Sequence, residues 1–333
     1  MGRGVPGPGC DVGAGAPSVA ARPAARGRDR QAAQRDPGRY EARRGTVKVL
    51  AEQVEGRLRE LRLHSPALGR EVSVSILTPS GWRPELRYPV LYLLHGSSDD
   101  NQCWTKHTDI VERTADAGFL VVMPDGGRLG FYHDWQVPDR QGTVPHWERF
   151  HLDELMPHVE SAYRASDVRM ALGISMGGFG ALRYAIRRPG LFRAVASLSG
   201  LVHLTRPGIG GLLALLSIRE GLLPGRIWGS RRRNFANWEA NDPFLHAAEL
   251  RGTPVFLSAG DGKKQPGEET VPGMGRIERN SRAANEEFAE RLRAEGVRVT
   301  TNFTGGTHFW DTWRSHLDTV WPHVRTVLSE PTG

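Results

Sequence analysis

One serine in the sequence stands in a pattern typical of an activated nucleophile. Ser175 lies between Gly173 and Gly177 in the stretch ALGISMGGFGAL, with an apolar run before it and a helix-forming run after it. Where a strand turns sharply into a helix, side chains two residues away on either side of the serine would collide, which explains the glycines. The pattern predicts a nucleophile elbow that holds Ser175 Oγ over a sheet, at the N-terminal end of a helix.

A serine hydroxyl needs a base to take its proton, and histidine is the usual one. In folds with this elbow the order along the chain is serine, acid, histidine, which leaves five candidates: His203, His246, His308, His316 and His323. His308 lies in the glycine-rich loop FTGGTHFWDTW directly after the last predicted strand, and we expect it to be the base. His316 and His323 fall on the terminal helix-like segment and are predicted to lie at the surface.

Two carboxylates compete for the role of the acid that orients this histidine. Asp261, in SAGDGKK, follows a predicted strand, which is the usual place for the acid, and position alone favours it. Glu278, in GRIERNSRAANEEF, is the competitor. The non-catalytic interpretation of Asp261 is a turn residue flanked by glycines, and that of Glu278 is a solvated charge beside two arginines.

Strand-like and helix-like segments alternate from about residue 58, and this alternation indicates the fold class. Residues 70–79 alternate polar and apolar side chains, which predicts an edge or antiparallel strand. Continuous apolar runs predict buried strands at 88–96, 118–127, 167–175, 192–200 and 253–262, with a last strand at 297–303. Helical periodicity covers 146–164 and 281–296, where Ser281 is interpreted as the N-cap. The sequence therefore predicts an α/β fold with a mostly parallel sheet covered by helices on both faces.

The first 47 residues differ in composition from the rest. They hold nine arginines against four acidic residues, a net charge of +5 out of +7 for the whole chain, and almost no large apolar residues. We expect residues 1–47 to form a disordered leader and residues 48–330 to form one domain, with a cap-like excursion at 201–247. Because the excess positive charge lies in the leader and not on a folded face, it does not indicate nucleic-acid binding.

Several other classes of protein find no support in the sequence. No run of about 18 apolar residues predicts a membrane span. No apolar segment before a cleavage site predicts a signal peptide, so we expect a cytoplasmic location, with secretion as the alternative if the true N-terminus differs. No phosphate loop or dinucleotide fingerprint is present. No metal or cofactor is expected, because four residues of ligand type match no zinc spacing: His133, Asp134, His146 and His151.

Residues 60–330 resemble the putative esterase family of α/β-hydrolases, and most closely its antigen 85-type mycolyltransferase and diacylglycerol acyltransferase branch. The resemblance rests on YLLHG (92–96), FYHDW (131–135), HWERF (146–150), ISMGGFGAL (174–182), NDP (241–243) and GTHFWDTW (306–313). The combination of aromatic-Tyr-x-Asp-Trp with Thr-His-x-Trp is far more specific than the elbow. It implies an α/β-hydrolase fold and a serine ester hydrolase or acyltransferase that acts on a small-molecule or lipid ester.

The resemblance also bears on the choice of acid. In that branch the acid is a glutamate followed at seven residues by Asn and at ten by Phe. Glu278, Asn285 and Phe288 have this spacing. The resemblance therefore favours Glu278, with Asp261 as the alternative acid.

Two backbone amides are expected to stabilise the oxyanion that forms when an ester is attacked. One belongs to Met176, directly after the nucleophile, and the resemblance points to Ser97 for the other. At position 95 the sequence departs from the mycolyltransferases, because His95 stands where they carry an acidic residue of their sugar site. His95 is the residue found in ordinary esterases.

Two alternative functions remain open at this stage. An S-formylglutathione hydrolase-like thioesterase is favoured by His95-Gly96 and by the expected cytoplasmic location. A non-catalytic binding protein with the same fold is the other. The apolar stretch IGGLLALLSI (209–218) is interpreted either as one wall of an acyl channel or as ordinary core.

Overall fold

One mixed sheet of nine strands organises the described residues. The computed structural model describes Met1 and residues 46–329, so the predicted leader lies almost wholly outside the described residues. The strands are β1 (Lys48–Glu55), β2 (Leu58–Ser65), β3 (Arg70–Leu77), β4 (Tyr88–Leu94), β5 (Leu120–Pro124), β6 (Ala165–Ile174), β7 (Ala194–Leu198), β8 (Val255–Ala259) and β9 (Val299–Phe303). Their order across the sheet is β1-β2-β3-β5-β4-β6-β7-β8-β9.

The pairing directions divide the sheet into two parts. β1, β2, β3 and β5 pair antiparallel in that order, whereas every pair from β5 to β9 is parallel. This mostly parallel sheet confirms the predicted fold class. The predicted antiparallel strand at 70–79 corresponds to β3, which lies inside the sheet and not at its edge.

Helices cover both faces of this sheet. They are α1 (Cys103–His107), α2 (Ile110–Arg113), α3 (Trp147–Arg149), α4 (Met156–Ala162), α5 (Met176–Arg187), α6 (Ile209–Arg219), α7 (Phe235–Glu239), α8 (Met274–Ala294) and α9 (Trp310–Leu328), with a π-helical segment at Phe150–Leu155 and a 3-10 turn at Ala247–Leu250. Among the helices within residues 46–329, none has the length and apolar character needed to cross a membrane.

Alternate residues of the central strand β4 enter two different cores. Tyr92 and Leu94 pack in one cluster with Phe179 of α5 and Phe288 of α8. Leu93 points to the other face, where a second cluster includes side chains of α1 and α9. Because successive side chains of a strand point to opposite faces, the continuous apolar run of β4 reports burial on both sides.

Two elements differ from the sequence-based expectation. The hairpin of β1 and β2 was not predicted, because β1 is almost entirely exposed and its alternation of polar and apolar residues is faint. The helix predicted at 281–296 begins at Met274, with Gly273 at its N-cap, so Ser281 is not the cap. The earlier start places Glu278 on the first turns of α8, outside the helix that the sequence predicted.

The order of strands creates the place where a site can form. β5 lies on one side of β4 and β6 on the other. The connection from β4 to β5 therefore runs in one direction along the sheet, and the connections from β6 to β9 run in the opposite direction. In open parallel sheets such a switch point opens a crevice at the carboxyl ends of the strands. The loop after β4 and the turn after β6 therefore meet there.

Candidate active site

The turn after β6 has the strained geometry of a nucleophile elbow. Ser175 has φ +50° and ψ −114°, a backbone conformation that residues other than glycine rarely adopt. A Cβ atom at Gly173 would lie 2.2 Å from the backbone of Gly177, and one at Gly177 would lie 2.1 Å from the carbonyl oxygen of Leu94. The turn therefore accepts only glycine at these two positions, as the sequence predicted, and Ser175 precedes the first residue of α5.

His308 lies within hydrogen-bond distance of both Ser175 and Glu278. Its Nε2 is 2.9 Å from Ser175 Oγ, and its Nδ1 is 2.5 Å from Glu278 Oε2. Since a carboxylate can only accept, Nδ1 carries the hydrogen and Nε2 is free to accept the one from the serine hydroxyl. The serine, the histidine and the glutamate thus form one chain of hydrogen bonds.

The Glu278 carboxylate is fully buried and held on both oxygens. Its Oε1 accepts the Ser199 hydroxyl at 2.6 Å and the Gly260 amide at 2.5 Å, and Trp313 Nε1–H donates to Ser199 Oγ. Burial by itself raises the pKa of Glu278, but the hydrogen bonds from His308, Ser199 and Gly260 outweigh it and hold that pKa below its usual range. The glutamate is therefore ionised beside His308.

The alternative acid, Asp261, makes a different contact. Asp261 Oδ1 accepts the backbone amide of Lys263 at 2.8 Å, two residues further on. Its carboxylate is half-buried in this turn and makes no hydrogen bond to His308. The structure brings Glu278, and not Asp261, to the histidine.

The two amides predicted for the oxyanion border the same cavity as Ser175. Met176 is the first residue of α5 and Ser97 follows β4, and both line the cavity. Within residues 46–329, no protein acceptor takes the amide hydrogen of either residue. The N-terminal end of α5 adds its partial positive charge at this point.

The cavity above Ser175 is mainly apolar and has a volume of about 250 Å³. One wall is the inner face of α6, which contributes Ile209, Leu212, Leu213 and Leu216. The opposite wall comes from α8 and α9. The stretch 209–218, which belongs to the predicted cap-like excursion at 201–247, therefore lines the space beside the serine, as the first of its two interpretations requires.

A residue that the sequence analysis missed joins this cap to the loop after β4. Glu220, directly after α6, accepts the Ser98 hydroxyl at 2.5 Å and Arg128 Nε at 2.5 Å. Ser98 has φ +70° and its amide donates to the Arg128 carbonyl, so the loop is tightly constrained. Burial raises the pKa of Glu220, but the bonds from Ser98 and Arg128 outweigh it and lower that pKa. Nothing in the local sequence pairs positions 98 and 220.

A second missed residue holds the loop that carries His308. Glu268 is buried, and its Oε1 accepts the amide and the hydroxyl of Thr307 at 2.8 and 2.7 Å and the Thr312 hydroxyl at 2.9 Å. Thr307 directly precedes the histidine. The run Glu268-Glu269 looks like surface charge in the sequence, so no sequence signal marks this role.

Other histidines have structural contacts. His151 lies between the Tyr184 hydroxyl at 2.7 Å and the Asp125 carbonyl at 2.9 Å, and burial lowers its pKa to about 4. His316 is buried and not at the surface, so that prediction is wrong; its Nε2 lies 2.9 Å from Thr304 Oγ1 on the inner side of α9.

His95 is also buried, and its tautomer is defined by its partners. Its Nε2 accepts the Gly126 amide at 2.7 Å, so Nδ1 donates to the Gly96 carbonyl, also at 2.7 Å. The ring ties the loop after β4 to the loop after β5. Within residues 46–329, no group of three or more His, Cys, Asp or Glu side chains is arranged to hold a metal ion.

Comparison with known proteins shows the family of this chain. A family profile described as "Putative esterase" matches residues 65–324. Esterase Rv1288 of Mycobacterium tuberculosis is 32% identical over 285 residues, covering 81% of this chain and 60% of that protein. The diacylglycerol acyltransferase/mycolyltransferase Ag85A of Mycobacterium leprae is 30% identical, over 82% of this chain and 84% of that protein. The chain thus spans only 60% of the length of the first of these relatives.

Solved structures share the fold. The crystal structure of Mycobacterium tuberculosis MPT51 matches with a TM-score of 0.65 at 21% identity, over 79% of this chain and 96% of that one. An S-formylglutathione hydrolase from Agrobacterium tumefaciens matches with a TM-score of 0.62 at 15% identity, over 84% and 99%. At such identities the matches establish the α/β-hydrolase fold alone.

Proposed function

The chain belongs to the putative esterase family, and from that premise we propose that it is a serine carboxylic ester hydrolase or acyltransferase that works through an acyl-enzyme. The observation that carries the proposal is the hydrogen-bonded chain from Glu278 through His308 to Ser175, at the floor of an apolar cavity. It supplies a nucleophile, a base and an orienting carboxylate in the geometry that acyl transfer requires.

The first half of the reaction forms the acyl-enzyme. His308 Nε2 takes the hydroxyl proton as Ser175 Oγ attacks the ester carbonyl, and Glu278 stabilises the imidazolium that results. The amides of Met176 and Ser97 donate to the oxyanion of the tetrahedral intermediate. When the intermediate collapses, His308 returns the proton to the departing alcohol, and the acyl group remains on Ser175.

The second half decides the class of enzyme. Water attacking the acyl-enzyme makes the protein an esterase, whereas a second alcohol makes it an acyltransferase. His95 is buried and bonded to two backbone groups, so its ring is not available to bind a sugar acceptor. This favours hydrolysis, or transfer to an acceptor other than one bound at position 95.

The cavity favours esters with an apolar acyl group. Four aliphatic side chains of α6 line it, and the charged residues of the lining are Asp99 and Arg219, at the end of that helix. A glutathione thioester would present a charged peptide to this wall. The thioesterase alternative is therefore the less favoured one.

Covalent labelling tests the proposal directly. We expect a fluorophosphonate probe to label the full chain at Ser175, as located by mass spectrometry, and p-nitrophenyl esters to be hydrolysed. Ser175→Ala is expected to lose about 10⁴-fold or more in kcat/KM. Ser315→Ala, an exposed serine on α9, is the matched control and is expected to keep full activity.

The outcome separates the proposal from its rivals. Absence of labelling would support a non-catalytic binding protein, and equal rates in wild type and Ser175→Ala would end the proposal. Product analysis with a lipid ester, with and without an added sugar, distinguishes free fatty acid from an acylated acceptor. Faster turnover of S-formylglutathione than of any carboxylic ester would favour the thioesterase.

A further inference from the structure

The outer face of α6 exposes an unusual amount of apolar surface. Leu215 is 65% exposed and Ile218 is 62% exposed, and Leu223, just beyond the helix, is 67% exposed. The inner face of the same helix lines the cavity. A helix that is apolar on all sides is normally buried within a protein or a bilayer, and this one has one face in solvent.

The apolar face borders the opening of the cavity. Val271 lines the cavity and is nevertheless 46% exposed, so it lies at the rim. Arg219, at the end of α6, is exposed and also lines the cavity. The residue that follows Ile218 on α6 and an exposed apolar residue before α8 therefore both lie at the rim of the cavity that an acyl chain would enter.

Arginines stand at both ends of the helix. At its N-terminal end, a Cβ atom at Gly210 would lie 2.8 Å from Arg231, so the run that continues into the exposed Arg232 and Arg233 packs there. At the C-terminal end, Arg140 lies against Gly221 and is exposed in the same way.

Negative charge at this face is neutralised. Glu220 is the acidic residue within 206–233, and its side chain is only 6% exposed because it is bonded to Arg128 and Ser98. Within 206–233 the exposed charges are therefore positive, and the apolar residues lie between them. Apolar side chains flanked by arginines fit an anionic lipid interface, where the first enter the acyl boundary and the second meet the headgroups.

We propose that the outer face of α6 docks the protein onto an anionic lipid surface. The apolar contacts would come from Leu215 and Ile218 and from Leu223 just beyond the helix. The flanking arginines are Arg219, Arg232 and Arg233. The opening of the cavity then faces the lipid. A lipid ester can reach the cavity without its chain crossing water. Docking needs no chemistry, so it is independent of the activity of Ser175.

Vesicle sedimentation of the full-length protein tests this. The vesicles are phosphatidylcholine with about 30% phosphatidylglycerol, compared with pure phosphatidylcholine. We expect wild type and Ser175→Ala to bind the anionic vesicles equally, and binding to weaken as NaCl rises from about 0.05 M to about 0.5 M. Equal binding by Ser175→Ala separates this test from the test of function.

Substitutions on the helix locate the contact. Leu215→Ser/Ile218→Ser removes apolar area without adding charge, and we expect at least about tenfold weaker partitioning. Its matched control is Val49→Ser/Val54→Ser on β1, where the side chains are 42% and 56% exposed; this pair should bind like wild type. Arg232→Gln/Arg233→Gln should weaken binding several-fold at low salt and have no effect at high salt.

Several results would overturn the proposal. The proposal fails if anionic vesicles do not retain wild type. It also fails if the α6 pair binds as well as the control pair, which would assign binding to the arginine-rich first 47 residues that all variants share. A third result would assign the face to an interface between two copies of the chain. In that case wild type is a dimer in sedimentation equilibrium, the α6 pair is a monomer, and neither protein binds vesicles. Hydrolysis of p-nitrophenyl acetate at wild-type rate shows that the α6 pair is folded.

Discussion

The two walls of the cavity are held by different kinds of interaction. On the sheet side, Ser175, His308 and Glu278 are fixed by strand ends, by a strained turn and by directional hydrogen bonds, of which Glu278 alone accepts three. On the cap side, α6 contacts the body through aliphatic side chains, and the polar link of the helix end runs through Glu220.

The difference separates chemistry from selection. Proton transfer depends on heavy-atom distances near 2.6–3.2 Å, which buried and fully bonded groups maintain. Apolar contacts have no such direction and tolerate exchange among side chains of similar volume. We therefore expect changes on the sheet side to affect kcat with all esters, and changes on the cap side to alter which esters are used.

After Ser175→Ala, the largest effect is expected from Glu278→Gln. The glutamine amide has one accepting oxygen in place of the two carboxylate oxygens, and its NH2 group would favour the wrong tautomer of His308. We therefore expect kcat to fall about 10³- to 10⁴-fold while KM changes little. Steady-state kinetics with a p-nitrophenyl ester measure this. Glu286→Gln, an exposed residue on the same helix, is the control. A loss below tenfold would show that the carboxylate does not orient the base.

A smaller effect is expected where the walls are joined. Glu220→Gln removes the charge that holds Ser98 and Arg128, so the neighbouring Ser97 amide loses its fixed position. We expect kcat to fall about 10- to 100-fold for short and long esters alike, less than the full loss of one oxyanion donor. Glu249→Gln, which breaks an exposed pair with His246, is the control.

If Glu220→Gln raised KM for long esters only, the link would belong to the cap and not to the oxyanion loop. Comparing kcat and KM for acetate and for a long-chain ester distinguishes these outcomes. Wild-type kinetics with both esters would remove Glu220 from the site.

On the cap side, Leu216→Trp should change selectivity. Leu216 is half-buried and lines the cavity, so a larger side chain there takes space from the acyl group. We expect kcat/KM for long-chain p-nitrophenyl esters to fall about tenfold relative to acetate. Leu215→Trp, on the outer face of the same helix, is the matched control. An equal loss for every chain length would mean that α6 does not contact the acyl chain.

The smallest effect is one of pH. Desolvation raises the pKa of Asp99 to about 6. A Cβ atom placed on Gly96 would lie 3.5 Å from the Asp99 carboxylate and 3.6 Å from the Cβ atom of Ser175, so this carboxylate lies near the nucleophile. Below pH 6 Asp99 is neutral; above it, the charge repels the developing oxyanion. The ratio of kcat/KM for Asp99→Asn to that of wild type should be near one at pH 5 and rise about two- to fivefold by pH 8.

The ratio removes the pH effects that both proteins share. Asp167→Asn is the control, because this carboxylate is exposed, lies outside the cavity lining and is not among the charges that act on Asp99. A ratio that stays constant from pH 5 to pH 8 would mean that Asp99 keeps one charge state.

Much of the fold follows from the sequence because buried parallel strands are continuous apolar runs. β4 to β9 were all predicted. Five of them contain a continuous apolar run followed by glycine or a turn, whereas β9 is mostly polar and was predicted as the last strand of the alternating pattern. The hairpin of β1 and β2 was not, because an exposed strand leaves little periodicity. The start of α8 was misplaced because Ser281 resembles an N-cap, whereas the N-cap is Gly273, eight residues earlier.

The sequence by itself determined the elbow, because steric limits within five residues demand glycine at 173 and 177. It also indicated His308, since a base must follow the last strand. Only the tertiary structure decided which carboxylate reaches that histidine. The contact joins His308 to Glu278, which lies 30 positions earlier in the chain, on a helix whose start the sequence did not indicate. Packing also decided the role of Glu220, because its partners Ser98 and Arg128 are distant in the chain. Packing likewise decided which side of the apolar helix α6 meets solvent, and neither feature leaves a local pattern in the sequence.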